Sequence, residues 1–168
     1  MTCSRCAKDD TRYPKTSEWG PIIWRILHTL AERAGKQTNE ILRNDEMRSW
    51  LLFVKALAPI LPCEECRGHA TTYIAEHPFE PPASYNAWSL YVRTYFYTFH
   101  EAVNERLEKP SFPFSSLAET YKSTGNLTKW VNDLQKLMMS AMKLNGMHMK
   151  AWQTWQNHLR MLSASMAI

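Results

Sequence analysis

No stretch of this chain reaches the roughly 18 consecutive apolar residues expected of a membrane-spanning helix, and the first ten residues, Met1 to Asp10, hold no apolar signal region. A soluble protein outside the usual secretory route is therefore expected. Cysteine is scarce, with four in 168 residues, too few for the dense disulfide framework of a small secreted domain. A chain of this length buries roughly two thirds of its unfolded surface and needs no such staples. Runs of like charge are missing as well. The net charge of +4 comes from 20 basic and 16 acidic side chains, and the scattering of the basic ones argues against nucleic acid as a partner. Lys122, Lys129, Lys136, Lys143 and Lys150 do recur every seven residues, a spacing that reads as one solvated helix flank. Strand-like alternation, internal repeats and low-complexity tracts are also wanting.

What the chain does have is helical periodicity. Residues 1–17 are polar, contain Pro14 and show no periodic pattern, so they read as an arm. From Ser17, a candidate cap, Trp19, Ile22, Ile23, Ile26, Leu27 and Leu30 follow helical spacing until Gly35 closes the element. A polar loop over residues 36–44 leads to a second helix over 45–58, carried by Met47, Trp50, Leu51, Val54 and Leu57. Pro59 ends it, and Pro62 opens a third helix running to Glu76. Residues 77–82 form a proline-rich loop. Trp88, Tyr91, Val92, Tyr95, Phe96, Phe99 and Val103 mark a long aromatic fourth helix over 84–108, and residues 115–121 make a short fifth. Beyond residue 125 the chain turns rich in Met and Trp, with two helical patterns separated by Asn145 and Gly146. The expected fold is all-α: a four-helix bundle with a short fifth helix and a C-terminal helical extension, divided as 1–17, 18–124 and 125–168. The extension's apolar seam of Trp130, Leu134, Leu137, Leu144 and Trp155 would cover the bundle or build a dimer, with an outside partner as the less favoured use.

Chemistry concentrates in the cysteines, which form two Cys-x-x-Cys pairs, Cys3/Cys6 and Cys63/Cys66. Pro62 suits the first position of a helix because its missing N–H would go unpaired there. Cysteines at a helix start have their thiolates stabilised by free backbone N–H groups, while Glu64 and Glu65 complement the helix dipole and oppose that effect. A tuned redox dithiol is the leading reading. Three others stay open: a zinc site made by both pairs, a purely structural disulfide, and a thioredoxin-like dithiol oxidoreductase. More than fifty residues separate the pairs, whereas the halves of structural zinc motifs usually lie within about 12–20 residues of each other. Against the thioredoxin reading stands the lack of any βαβ alternation. Elsewhere, Trp24 and His28 share one face of the first helix, with Gly20 a turn earlier leaving room for something flat. His100 and Asn104 share a face of the fourth. Each pair alone suits ordinary packing; histidines offered by two helices together suggest a polar ligand between them.

Three strings in order are similar to those of the ERV/ALR family of flavin-linked sulfhydryl oxidases: Trp19-Gly20-x-x-x-Trp24-x-x-Leu27-His28, Leu61-Pro62-Cys63-x-x-Cys66-x-x-His69-x-x-x-Tyr73, and Phe99-His100-x-x-Val103-Asn104-x-Arg106-Leu107-x-Lys109-Pro110. The resemblance spans residues 18–122 and is nearest to the small oxidases of large DNA viruses. It implies a helical bundle that holds FAD non-covalently, usually as a homodimer. On this resemblance Gly20, Trp24, His28, His69, His100 and Asn104 contact the cofactor. Lys109 and Lys122 approach its phosphates or ribose, and Tyr121 lies against the adenine. Cys66 is the thiolate beside the flavin ring and Cys63 the outer, substrate-facing sulfur. No metal is involved.

The implied reaction starts with a substrate thiolate, or Cys3/Cys6 as a shuttle, attacking Cys63; electrons then pass through Cys66 and the flavin to O2, which becomes peroxide. Thiol-containing proteins and O2 are the implied partners. Host cytoplasm and virion are the implied locations. Two positions depart from the family pattern: Glu101 stands where an asparagine is common, and Phe114 where cellular members have a structural cysteine.

Overall fold

The computed structural model describes residues 12–168, and among them it contains seven α-helices and no strand. Helix α1, Thr16–Ala31, starts just before the expected Ser17 because the Glu18 carboxylate reaches back to the Lys15 N–H at 2.8 Å. Gly35 ends that region at φ +81, where a Cβ would lie 2.7 Å from that of Ser89; only glycine suits both demands. Helix α2, Glu40–Lys55, begins five residues before the expected Asp45. Asn39 caps it, its side chain accepting from the N–H groups of Ile41 at 2.8 Å and Leu42 at 3.4 Å. The extra turn escapes periodicity because Ile41 and Leu42 are exposed.

Helix α3 is Glu64–Glu76, and here the sequence expectation is corrected. Pro62 precedes the helix, while Cys63 is its cap, with its Sγ accepting the Cys66 N–H at 3.1 Å. A 3₁₀ turn at Tyr85–Ala87 feeds α4, Trp88–Arg106, and a second at Phe114–Ser116 feeds α5, Leu117–Tyr121. The chain closes with α6, Leu127–Lys143, and α7, Met149–Ser165. Helix boundaries break the seven-residue lysine series: only Lys129, Lys136 and Lys143 share α6, where the first two flank Asp133 at 2.7 and 3.6 Å.

Helices α6 and α7 pack on α1 and α2 respectively, so the C-terminal residues share the bundle's core. Trp155 is fully buried with its ring 5.5 Å from Phe53, and the aromatic centre continues through Trp50 to Phe96. Of the expected seam, Leu134 is also fully buried, whereas Leu144 is exposed. A second aromatic device stands where the family's cysteine is missing. Phe114 meets the edge of Tyr97 at 5.1 Å and carries the Arg93 guanidinium 5.4 Å from its ring, and Arg93 also pairs with Glu32 of α1 at 2.8 Å. Cation–π and ionic contacts thus pin this segment without a covalent link.

One buried carboxylate organises the far end of the bundle. Glu46 of α2 accepts from the Gly35 N–H at 2.9 Å, the Trp88 Nε1 at 3.1 Å and the Tyr85 hydroxyl. Removing it leaves the buried Trp88 Nε1 and two partly buried donors without their partner, so Glu46→Ala is expected to lower stability by roughly 3 kcal/mol, read from the urea midpoint. Trp155→Ala should cost about 3–5 kcal/mol through the cavity it leaves; a loss below about 1 kcal/mol would mean that α7 is an appendage rather than part of the core.

Candidate functional site: a helix-start disulfide beside an imidazole pair

Cys63 and Cys66 are joined in a disulfide at the start of α3. Both are half-buried and pack against the core. Cys66 and Tyr73 lie seven residues apart and so project from the same side of the helix. Tyr73 stacks on Phe99 of α4 at 4.2 Å with an interplanar angle of 5°, and Phe99 meets the ring of Trp24 edge-on at 5.4 Å. A continuous aromatic path therefore leads from α3 to α1. Tyr73 and Phe99 appear in the sequence motifs, but periodicity alone marks them as ordinary core residues.

At the end of that path Trp24 lies parallel to His100, 4.0 Å between ring centres. His28 Nε2 and His100 Nδ1 are 2.9 Å apart, so one ring donates and the other accepts. Tyr121 stacks on His28 at 4.8 Å. The fold thus gathers Trp24, His28, His100 and Tyr121 from three helices, as the sequence motifs anticipate. Gly20 lies one turn before Trp24, and a Cβ there would meet nothing closer than Thr16 at 3.9 Å, so the backbone is open to a close neighbour.

Burial, and secondarily the mutual influence of the rings, pushes the His28 pKa down from 6.5 to about 3. Burial also lowers His100 to about 4, with Glu101 opposing and Lys109 assisting. Lys109, although exposed, therefore lies within electrostatic reach of His100. Burial raises the Tyr121 phenol while nearby Arg25 pulls it down. Cationic Lys109 and Arg25 thus border a neutral aromatic centre, and Lys122, also exposed, directly follows Tyr121.

Other expected site residues fall differently. Asn104 is buried, but its Nδ2 donates to Glu101 at 3.0 Å. Burial pushes the Glu101 carboxyl up, yet hydrogen bonds from Ser111, the Phe112 N–H and Asn104 outweigh it and hold it below its ordinary value. In place of the family's asparagine, Glu101 ties down the turn after α4. His69 is exposed and faces Glu65 at 3.9 Å, which also meets Arg106 at 3.7 Å. His69 makes no contact with the imidazole pair. Cys3 and Cys6 lie outside the described residues, as does most of the expected arm. A groove between α2 and α7 lined by Lys55, Pro59, His148, Lys150 and His158 shares no residue with this site.

A cluster of stacked aromatic rings bordered by cations, with an open glycine beside it, suits contact with a flat anionic ligand, and the disulfide at the start of α3 supplies a two-electron couple. Together they define a dithiol redox protein of the flavin-accepting kind. The family model described as Erv1 / Alr matches residues 21–122, and the chain belongs to that family. It is 34% identical over 99 residues to protein 347L of Invertebrate iridescent virus 6, covering 58% of this chain and 86% of the relative. With protein 096R of Invertebrate iridescent virus 3 it shares 30% identity over 104 residues, 62% of this chain and 66% of the relative. Both carry the provisional name FAD-linked sulfhydryl oxidase. A protein of African swine fever virus named FAD-linked sulfhydryl oxidase is 29% identical over 108 residues, 63% of this chain and 82% of its own. No solved structure matches.

The depressed imidazoles make folding sensitive to acid. An unfolded chain takes up a proton at each ring near pH 6.5, whereas the folded chain refuses it until about pH 4 at His100 and about pH 3 at His28. Stability is therefore full above pH 6.5 and falls as the pH drops through that window. Thermal melts of the flavin-free protein between pH 7 and 4 should show this decline, and a double change of His28 and His100 to Gln should flatten it. An unchanged slope in that variant would place the acid sensitivity elsewhere.

Proposed function

We propose that this chain is a FAD-linked sulfhydryl oxidase that makes disulfide bonds in protein substrates and passes the electrons to O2, giving H2O2. The observation that carries the reading is the closed Cys63–Cys66 disulfide at the start of a helix whose Tyr73 leads through Phe99 to the Trp24/His100 stack. Gly20, Trp24, His28, His100 and Tyr121 would hold the flavin, with Lys109 and Lys122 toward its phosphates. Asn104, which keeps its Oδ1 and one amide hydrogen beyond its bond to Glu101, and His69 are proposed as further contacts.

The chain's own chemistry begins when a substrate thiolate attacks Cys63 Sγ. The Cys63–Cys66 bond breaks, a substrate–Cys63 disulfide forms and Cys66 departs as a thiolate. A second substrate thiol displaces Cys63, releasing the oxidised substrate and leaving the pair reduced. The Cys66 N–H, aimed at Cys63 Sγ, stabilises negative charge on that sulfur as it leaves. Cys66, within the first turn, has the positive helix end to favour its own thiolate. Bound flavin supplies the two-electron acceptor that returns the pair to its disulfide. The neutral imidazole pair would offer a bound flavin hydrogen bonding without adding charge. Cys3/Cys6 is read as a shuttle between substrate and Cys63.

The zinc alternative would need Cys63 and Cys66 as separate thiolates, whereas their sulfurs are bonded to each other; its other half, Cys3/Cys6, lies outside the described residues. A flavin-free thioredoxin-like protein is disfavoured by the all-helical fold. A homodimer would use faces other than those of α1 and α2 that α6 and α7 cover. No helix among the described residues is long and apolar enough to cross a membrane; host cytoplasm or virion is proposed from the viral relatives.

The purified protein should be yellow and consume oxygen with dithiothreitol. Cys63→Ser and Cys66→Ser should each abolish turnover, and only Cys63→Ser, which frees the Cys66 thiolate, should show a long-wavelength thiolate–flavin band. That band in Cys66→Ser instead would reverse the assigned order of the sulfurs, and a colourless protein with bound zinc would overturn the reading.

A further inference from the structure

The carbonyls of the two residues before Cys63 are held by Arg67 and Tyr13, and both Tyr13 and the Gly146 turn that Arg67 also reaches lie beyond the family match. Arg67, in the first turn of α3, places its Nη1 at 2.7 Å from the Leu61 carbonyl oxygen, 3.2 Å from that of Pro62 and 2.9 Å from that of Gly146. Gly146 belongs to the turn between α6 and α7. Tyr13, N-terminal to α1, donates its hydroxyl to the same Pro62 carbonyl at 2.5 Å. Its ring rests on Gly146 so closely that a Cβ there would fall 1.9 Å from the hydroxyl oxygen and 2.4 Å from a ring carbon. Gly146 does not have a left-handed backbone, unlike its neighbour Asn145 at φ 59. The absence of a side chain at position 146 therefore answers this contact and not a conformational demand.

Charged donors make the stronger hydrogen bonds to carbonyls, and Arg67 joins the redox loop to the C-terminal helices with one such group. Leu61 and Pro62 are buried while Arg67 and Tyr13 keep part of their surface in water, so the grip is partly shielded. Closing a disulfide costs the freedom that the two thiols have when apart; a backbone already fixed beside α3 loses less on closure.

We propose that Arg67 is a positioning residue for the Cys63/Cys66 pair, and that the Gly146 turn completes its seat, so that the C-terminal extension helps set how readily the disulfide closes. This deepens the oxidase reading, since the pair is the electron entry point there. Its test needs no flavin. The full-length chain is equilibrated with oxidised and reduced glutathione, where the protein dithiol plus one oxidised glutathione gives the protein disulfide plus two reduced glutathiones. Free thiols are trapped by alkylation and counted by mass spectrometry on the peptide that carries Cys63 and Cys66.

Arg67→Ala is expected to lower the equilibrium constant for closure about tenfold, and Gly146→Ala, with Arg67 intact, to shift it in the same direction. Arg67→Lys, which keeps a donor, should recover part of the loss and guards against a poorly folding alanine variant. Trp155→Ala, a destabilising change outside the clamp, should lower the melting temperature without moving the constant. Constants within twofold of the native value in both Arg67→Ala and Gly146→Ala overturn the proposal, as does an equal shift in Trp155→Ala. A loss in Arg67→Ala alone overturns the part assigned to the C-terminal turn. If the constants shift as expected in a protein that neither binds flavin nor consumes oxygen, the clamp stands and the oxidase reading falls.

Discussion

The bond between His28 and His100 sets the terms for the site. Two imidazoles 2.9 Å apart can share a hydrogen bond only while at most one is charged, and burial keeps both neutral at physiological pH. That requirement draws α1 and α4 together on their polar positions, with Trp24 stacked against one ring and Tyr121 against the other. The cluster is consequently aromatic and uncharged at its centre, and cationic only at its border. Such a surface favours a planar conjugated ligand carrying its negative charge at one end.

The fold relies on aromatic packing where a covalent link would be an alternative. Phe114 under Arg93, itself paired to Glu32, fastens the segment before α5 to α1 and α4. At the opposite end, Glu46 collects donors from three segments and fixes where α1 stops and α4 starts. Both devices use charge at the edge of the core, where partners satisfy it. The one disulfide among the described residues is thereby left to chemistry rather than support.

Much of this was readable in the sequence because the signals were of the kinds that sequences carry well. Long apolar periodicities located α1, α4, α6 and α7, and the spacing of Trp24 with His28 and of His100 within its motif located the imidazole pair. What escaped depended on local side-chain chemistry. Asn39 begins α2 with an exposed first turn that no hydrophobic pattern reports, and Cys63 displaces Pro62 as the start of α3 because its sulfur caps the helix. Asn104 and His69 were expected at the cofactor; Asn104 is bonded to Glu101 and His69 points to Glu65, contacts set by the fold and invisible to motif spacing. The junction of Arg67 with Gly146 joins residues 79 apart, a separation at which one sequence carries no pairing signal.

Trp155 completes an aromatic centre whose other members, Trp50, Phe53 and Phe96, come from the first hundred residues. During synthesis those earlier helices have no finished interior until α7 has left the ribosome, so closure of the bundle is a late, long-range event. Through that interval Cys63 and Cys66 lack the Arg67–Gly146 contact that reaches them from the C-terminal turn in the finished chain.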